Sequence, residues 1–111
     1  MIDIQVIASG SSGNCYRVAD ESTTLMIEAG LRFPLIREAF NFELSGVSGC
    51  LITHEHLDHA KAARDIMKAG IDCYMTQETA DQLSLSGHRL KPIKPGQIFT
   101  VGTFKILPFS T

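Results

Sequence analysis

The chain has 111 residues, of which 44% are hydrophobic and 20% charged, proportions that suit one globular unit with a moderate core and exclude a disordered chain. Its formal net charge of -2 lacks the cationic excess that marks many nucleic-acid binders, which weighs against direct DNA binding by this segment. No apolar run reaches the length of a membrane span, and three cysteines without a C-x-x-C pair argue against a disulfide framework or a cysteine zinc knuckle and point to a reducing, cytoplasmic setting.

Residues 1–8 and 15–19 read as strands flanking a glycine-serine loop, with a third strand over 24–28. In that loop Gly10 and Gly13 permit positive φ, so Ser11, Ser12, Gly13 and Asn14 form either an anion-binding nest for a phosphate or a plain strand-to-strand turn. A short helix is expected over 32–40, where Pro34 sits in the first turn and its missing N–H has no consequence. Residues 49–53 read as a buried strand and 59–69 as a helix closed by Gly70. A strand over 72–75, a helix over 77–84 and strands over 89–93, 97–101 and 103–109 complete the chain. No linker, repeat or low-complexity tract divides these elements, so 1–111 is expected to be a single α/β unit.

Chemistry concentrates in His54-Glu55-His56-Leu57-Asp58-His59, which holds three of the 4 histidines. Imidazole and carboxylate suit zinc, manganese and iron. Residues two apart on an extended segment point the same way, so His54, His56 and Asp58 are expected to converge, with His59 approaching from the start of a helix. Glu55 alternates away from them. The run follows a strand directly, where α/β sheets place their ligand crevice. The plainer alternative makes Asp58 an N-cap and leaves the histidines solvated.

The H-x-H-x-D-H pattern resembles the signature of the metallo-β-lactamase superfamily, metal-dependent hydrolases built as an αββα sandwich. Ala8-Ser9-Gly10-Ser11-Ser12-Gly13-Asn14-Cys15-Tyr16 resembles the N-terminal loop of its YycJ/WalJ-like group, associated with 5′-to-3′ exonuclease activity on DNA. Leu25-Met26-Ile27-Glu28-Ala29-Gly30 resembles the strand-ending Asp-x-Gly, and Lys94-Pro95-Gly96 through Thr103-Phe104-Lys105-Ile106 the later strand pair. The resemblance implies the N-terminal half of the sandwich, a mixed sheet with flanking helices. It also implies two divalent ions, zinc or manganese, with His54 and His56 serving one and Asp58 and His59 the other. Asp58 would orient the nucleophile, and DNA would be the substrate. Glu28 stands where the family usually has aspartate, a position that supports the ligands from behind.

Full-length relatives supply further ligands after a point corresponding to Thr111. A catalytic zinc typically takes three protein ligands, so two donors for each ion imply weak or partial metal occupancy in this chain. His88, Glu28, Cys15, Cys50 and Cys73 are the internal candidates for a further ligand, none of them compelling; His88 reads as a loop residue, and Cys50 and Cys73 as buried hydrophobes. Lys61, Arg64, Lys68, Arg89, Lys91 and Lys94 either contact phosphates or form solvated faces. A lone first sheet is expected to leave an apolar face and an open edge, covered by self-association or by a C-terminal half. Two rival functions remain, a hydrolase of small esters, thioesters or lactams on the same site and a non-catalytic interaction module.

Overall fold

The computed structural model describes residues 1–109; Ser110 and Thr111 lie outside the described residues. A six-stranded mixed sheet runs in chain order through β1 (Asp3–Ala8), β2 (Cys15–Ala19), β3 (Thr24–Ile27), β4 (Val47–Leu51), β5 (Cys73–Thr76) and β6 (Leu90–Ile93). The first three pair antiparallel and the rest parallel. Parallel neighbours need crossovers. These are α1 (Phe33–Ala39), then α2 (Leu57–Ala60) with α3 (Ala63–Lys68), and finally α4 (Gln77–Gln82). A separate antiparallel hairpin, β7 (Phe99–Val101) with β8 (Phe104–Ile106), closes the described chain. The carboxyl ends of β3 and β4 therefore lie side by side, and the histidine-rich motif leaves from the second of them.

Alternation along the strands decides which side chains form the core. Met26, Cys50 and Cys73 are aligned across β3, β4 and β5 and are fully buried, together with Ile36 of α1, Ile66 of α3 and Ala80 of α4. On the opposite face the hairpin covers the centre of the sheet, where Tyr74 stacks on Phe99 at 5.2 Å. Toward β1 that face is bare. Ile2, Ile4 and Val6 are 59%, 66% and 61% exposed, an apolar row on an edge strand.

Most elements match their sequence expectation in type, and Pro34 and Gly70 take the places foreseen for them. Gly70 has φ 91, and the amides of Gly70 and Ile71 return to the carbonyls of Met67 and Ile66, a Schellman closure. The helix expected over 59–69 differs. It starts earlier, at Leu57, and is broken between Ala60 and Ala63. The break has a long-range cause. The Ala62 N–H, which in an unbroken helix donates to Asp58, instead donates to the Ala29 carbonyl at 2.8 Å, and the His59 carbonyl accepts the Ala29 N–H at 2.7 Å. The Asp58 carbonyl is taken over by the Asn14 backbone N–H at 2.8 Å and by Asn14 Nδ2 at 3.0 Å. The strand expected to reach Glu28 also ends at Ile27, because Glu28 has φ 67. This left-handed turn, unfavourable by about 1–2 kcal/mol for a residue with a Cβ, aims the Ala29 peptide into the helix.

Candidate metal centre

Glu28 follows β3 directly and projects into the floor of the motif, where it is 5% exposed. Its Oε1 accepts the Thr53 N–H at 2.9 Å, and its Oε2 accepts both the Thr53 hydroxyl and His59 Nδ1 at 2.6 Å. Thr53 Oγ1 also lies 2.8 Å from His54 Nδ1. A hydroxyl carries a single proton, and Thr53 gives its proton to Glu28. His54 Nδ1–H must therefore be the donor to Thr53. One buried carboxylate thus sets the tautomer of two imidazoles, His59 directly and His54 through Thr53. In both rings the Nε2 lone pair is left for another partner.

Among the described residues, Glu28, His54 and His59 offer donor atoms that all lie within 4.8 Å of one another. Both Glu28 oxygens already accept hydrogen bonds, an arrangement that suits a carboxylate orienting the imidazoles from behind. His54 and His56 stack with ring centroids 6.0 Å apart, and His54 and His59 lie 4.8 Å apart. Asp58 Oδ2 is 3.6 Å from His59 Nε2. Two donors at roughly 2.0–2.2 Å from one tetrahedral ion lie about 3.3–3.6 Å apart, so this pair already has ligand spacing. The donor set fits a divalent ion of the zinc or manganese kind: imidazoles held by their Nδ1 hydrogen bonds, and a carboxylate beside them.

The convergence does not arise as an extended segment would produce it. His54 lies in the loop after β4, His56 is the N-cap of α2, and Asp58 and His59 stand in that helix's first turn. The tight turn from loop into helix brings His54 and His59 together over Glu28, with His56 stacked on His54 and Asp58 beside His59, and the Asn14 and Ala29 hydrogen bonds hold α2 in place. Asn14, expected either in a phosphate nest or in a plain turn, has its amide committed to Asp58 and to Gly10. Ser11 and Ser12 are exposed at the tip of the same loop, and Gly13 is buried beneath it.

The other candidate ligands lie elsewhere. Burial, aided by the charge of Glu28, pushes the Cys15 thiol up to about 12, and a hydrogen bond with Cys73, together with burial, raises Cys50 well above its ordinary range. Both stay protonated at neutral pH and are poor metal ligands. Cys73 is equally buried in the helix-covered core. His88 lines a separate surface groove with Arg64 and Lys68. Thr53 was missed from sequence; its only signal was a hydroxyl at the strand exit directly before His54.

No helix is long and apolar enough to cross a membrane among the described residues. Residues 8–99 match the Metallo-beta-lactamase superfamily. The chain is 32% identical over 110 residues to "Exodeoxyribonuclease YycJ" of Bacillus anthracis, covering 94% of this chain and 40% of that protein. It is 32% identical over 78 residues to "Exodeoxyribonuclease WalJ" of Streptococcus pneumoniae serotype 2, covering 67% of this chain and 29% of the relative. The chain therefore spans less than half the length of these curated relatives. Among solved structures, the metallo-beta-lactamase fold protein YhfI from Bacillus subtilis superposes with a TM-score of 0.75 at 17% identity, over 96% of this chain and 51% of that one. A metallo-beta-lactamase from Cronobacter sakazakii also gives 0.75, at 17% identity, over 92% of this chain and 47% of its own. The mixed sheet, the H-x-H-x-D-H turn at its carboxyl end and the family match over residues 8–99 agree, and the chain belongs to the metallo-beta-lactamase superfamily.

Proposed function

We propose that the polypeptide carrying this chain hydrolyses the phosphodiester bonds of DNA, as a 5′-to-3′ exonuclease, at two divalent ions, zinc or manganese. The observation that carries this reading is the single carboxylate of Glu28 presetting His54 and His59 as Nε2 donors; the relatives bearing the word exodeoxyribonuclease supply the substrate. His54 and His56 would hold one ion, and Asp58 and His59 the other. Such ions supply Lewis acidity toward a phosphate oxygen and activate water.

The chain's own residues supply position. Asp58 accepts a hydrogen bond from the attacking water and aligns it with phosphorus, while Glu28 and Thr53 hold the two imidazoles turned with Nε2 toward the ion. Ser11 and Ser12, exposed beside Asn14, contact the substrate phosphate. We place the protein in the cytoplasm on its three free cysteines, and we read 1–111 as a partial domain whose bare β1 face seats either the second layer of the sandwich or another copy.

A second reading, hydrolysis of small esters, thioesters or lactams, draws on an apolar pocket of about 390 Å³ lined by His54, Tyr74, Ile93 and Phe99. One experiment separates the two. The metal-loaded protein is given 3′-labelled, 5′-phosphorylated DNA in parallel with a panel of small esters and lactams. Manganese- or zinc-dependent shortening from the 5′ end, lost in His54→Ala and His59→Ala, is expected. Turnover of the small substrates alone would sink the nuclease reading, and no turnover together with substoichiometric metal would favour an interaction module.

A further inference from the structure

Although the net charge is -2, the fold collects cations in one place. Arg64, Lys68, His88 and Arg89 line a groove between α3 and the turn leading into β6. Arg64 and Leu85 also line an adjoining depression that extends to Lys61 and Leu57. Leu57 stands between His56 and Asp58 in the chain, so the second depression begins at the helix that carries the histidine-rich motif. Of the 12 acidic residues in the sequence, none lines either depression.

The cations differ in how far they are committed. Arg89 is partly compensated by Asp72 at 3.2 Å. One Arg64 nitrogen donates to the carbonyls of Leu83 and Ser84, which fixes the guanidinium without neutralising it. Lys61 and Lys68 are exposed and pair with no carboxylate among the described residues.

We propose that this groove binds the phosphodiester backbone of a DNA strand whose 5′ end lies at the metal centre. Cations strung along a groove, rather than converging on a point, suit a ligand with regularly repeated charge, and guanidinium forks suit phosphate oxygens. A single small anion would meet only one or two of them. The direction of the strand rests on the proposed exonuclease function, whereas binding to the groove does not.

The two are separated by measuring binding and cleavage independently. Fluorescence anisotropy of a short 5′-phosphorylated single strand, recorded in EDTA so that nothing is cut, should give an affinity whose logarithm falls with log salt at about 0.7 per phosphate contact. The Lys61→Gln/Lys68→Gln double variant should bind roughly tenfold more weakly at low salt and lower that slope by about 1.4. Lys105→Gln, which lines neither depression, should bind as the native protein does. These two lysines make no buried contacts, so the variant remains folded, as circular dichroism would verify. Unchanged DNA affinity in the double variant, or no DNA binding at all, overturns the proposal. An acidic peptide bound as tightly and weakened equally by the substitutions overturns the nucleic-acid assignment. If DNA binding follows the prediction while no substrate is cleaved with any metal, the groove stands and the hydrolytic reading fails.

Discussion

Glu28→Gln weakens zinc or manganese binding by roughly 10- to 100-fold, the usual effect of removing a group that orients metal-bound histidines. The carboxylate accepts three hydrogen bonds, from the Thr53 amide, the Thr53 hydroxyl and His59 Nδ1. An amide of the same shape offers one acceptor atom in place of two, so its NH2 meets a donor whichever way it is turned. Turned one way, it opposes the Thr53 N–H and leaves a buried donor unpaired, a loss of about 1–3 kcal/mol. Turned the other way, it opposes His59 Nδ1–H, and the ring either rotates or shifts its proton to Nε2, the ligating atom. Glu28→Asp keeps the charge but is one methylene shorter, and from a backbone fixed at φ 67 it cannot serve Thr53 and His59 together; an intermediate loss is expected. Competition with a chromophoric chelator measures both, and native affinity in Glu28→Gln would refute the relay.

Gly30→Ala is the most damaging single methyl addition expected near the site. A Cβ at Gly30 would lie 1.8 Å from the Asp58 carbonyl oxygen and 2.9 Å from the Asn14 amide nitrogen. Both are backbone atoms, and they are hydrogen-bonded to each other at 2.8 Å, so neither can yield alone. Relief requires the start of α2 to move outward, carrying Asp58 and His59 with it. A loss of about 3 kcal/mol or more is expected, with metal affinity falling in whatever fraction stays folded. Gly46→Ala is the matched control, because nothing lies within 4 Å of its added methyl. Its unfolding free energy from urea titration should stay within about 0.5 kcal/mol of native, and a Gly30→Ala value equally close to native would show the clamp to be slack.

Both predictions depend on contacts that single-sequence reading does not reach. The strands were legible because apolar alternation reports burial directly, and the candidate metal site because imidazole and carboxylate crowd into one run. The break after Ala60 was not legible. Residues 59–69 contain no glycine or proline, and the helix is interrupted by hydrogen bonds from Ala29 and Asn14, far away in sequence. Thr53 escaped notice for a related reason, since its hydroxyl matters only once β3 and β4 lie side by side and bring Glu28 beneath it. Asn14 was placed in the right loop, yet the same amide that suits an anion nest holds a helix carbonyl here. The cationic groove was hidden by averaging: the net charge describes the whole chain, whereas Lys61, Arg64, Lys68 and Arg89 meet only when α3 packs beside the turn into β6.

Glu28 and Thr53 present His54 and His59 as Nε2 donors to a divalent ion, and X-ray absorption at the zinc edge of the zinc-loaded protein reads that ligation. The account predicts a shell of nitrogen and oxygen at about 2.0–2.2 Å with the outer-shell scattering of imidazole rings, reduced by His54→Ala and by His59→Ala. A sulfur shell at about 2.3 Å, or a spectrum that neither substitution alters, would contradict it.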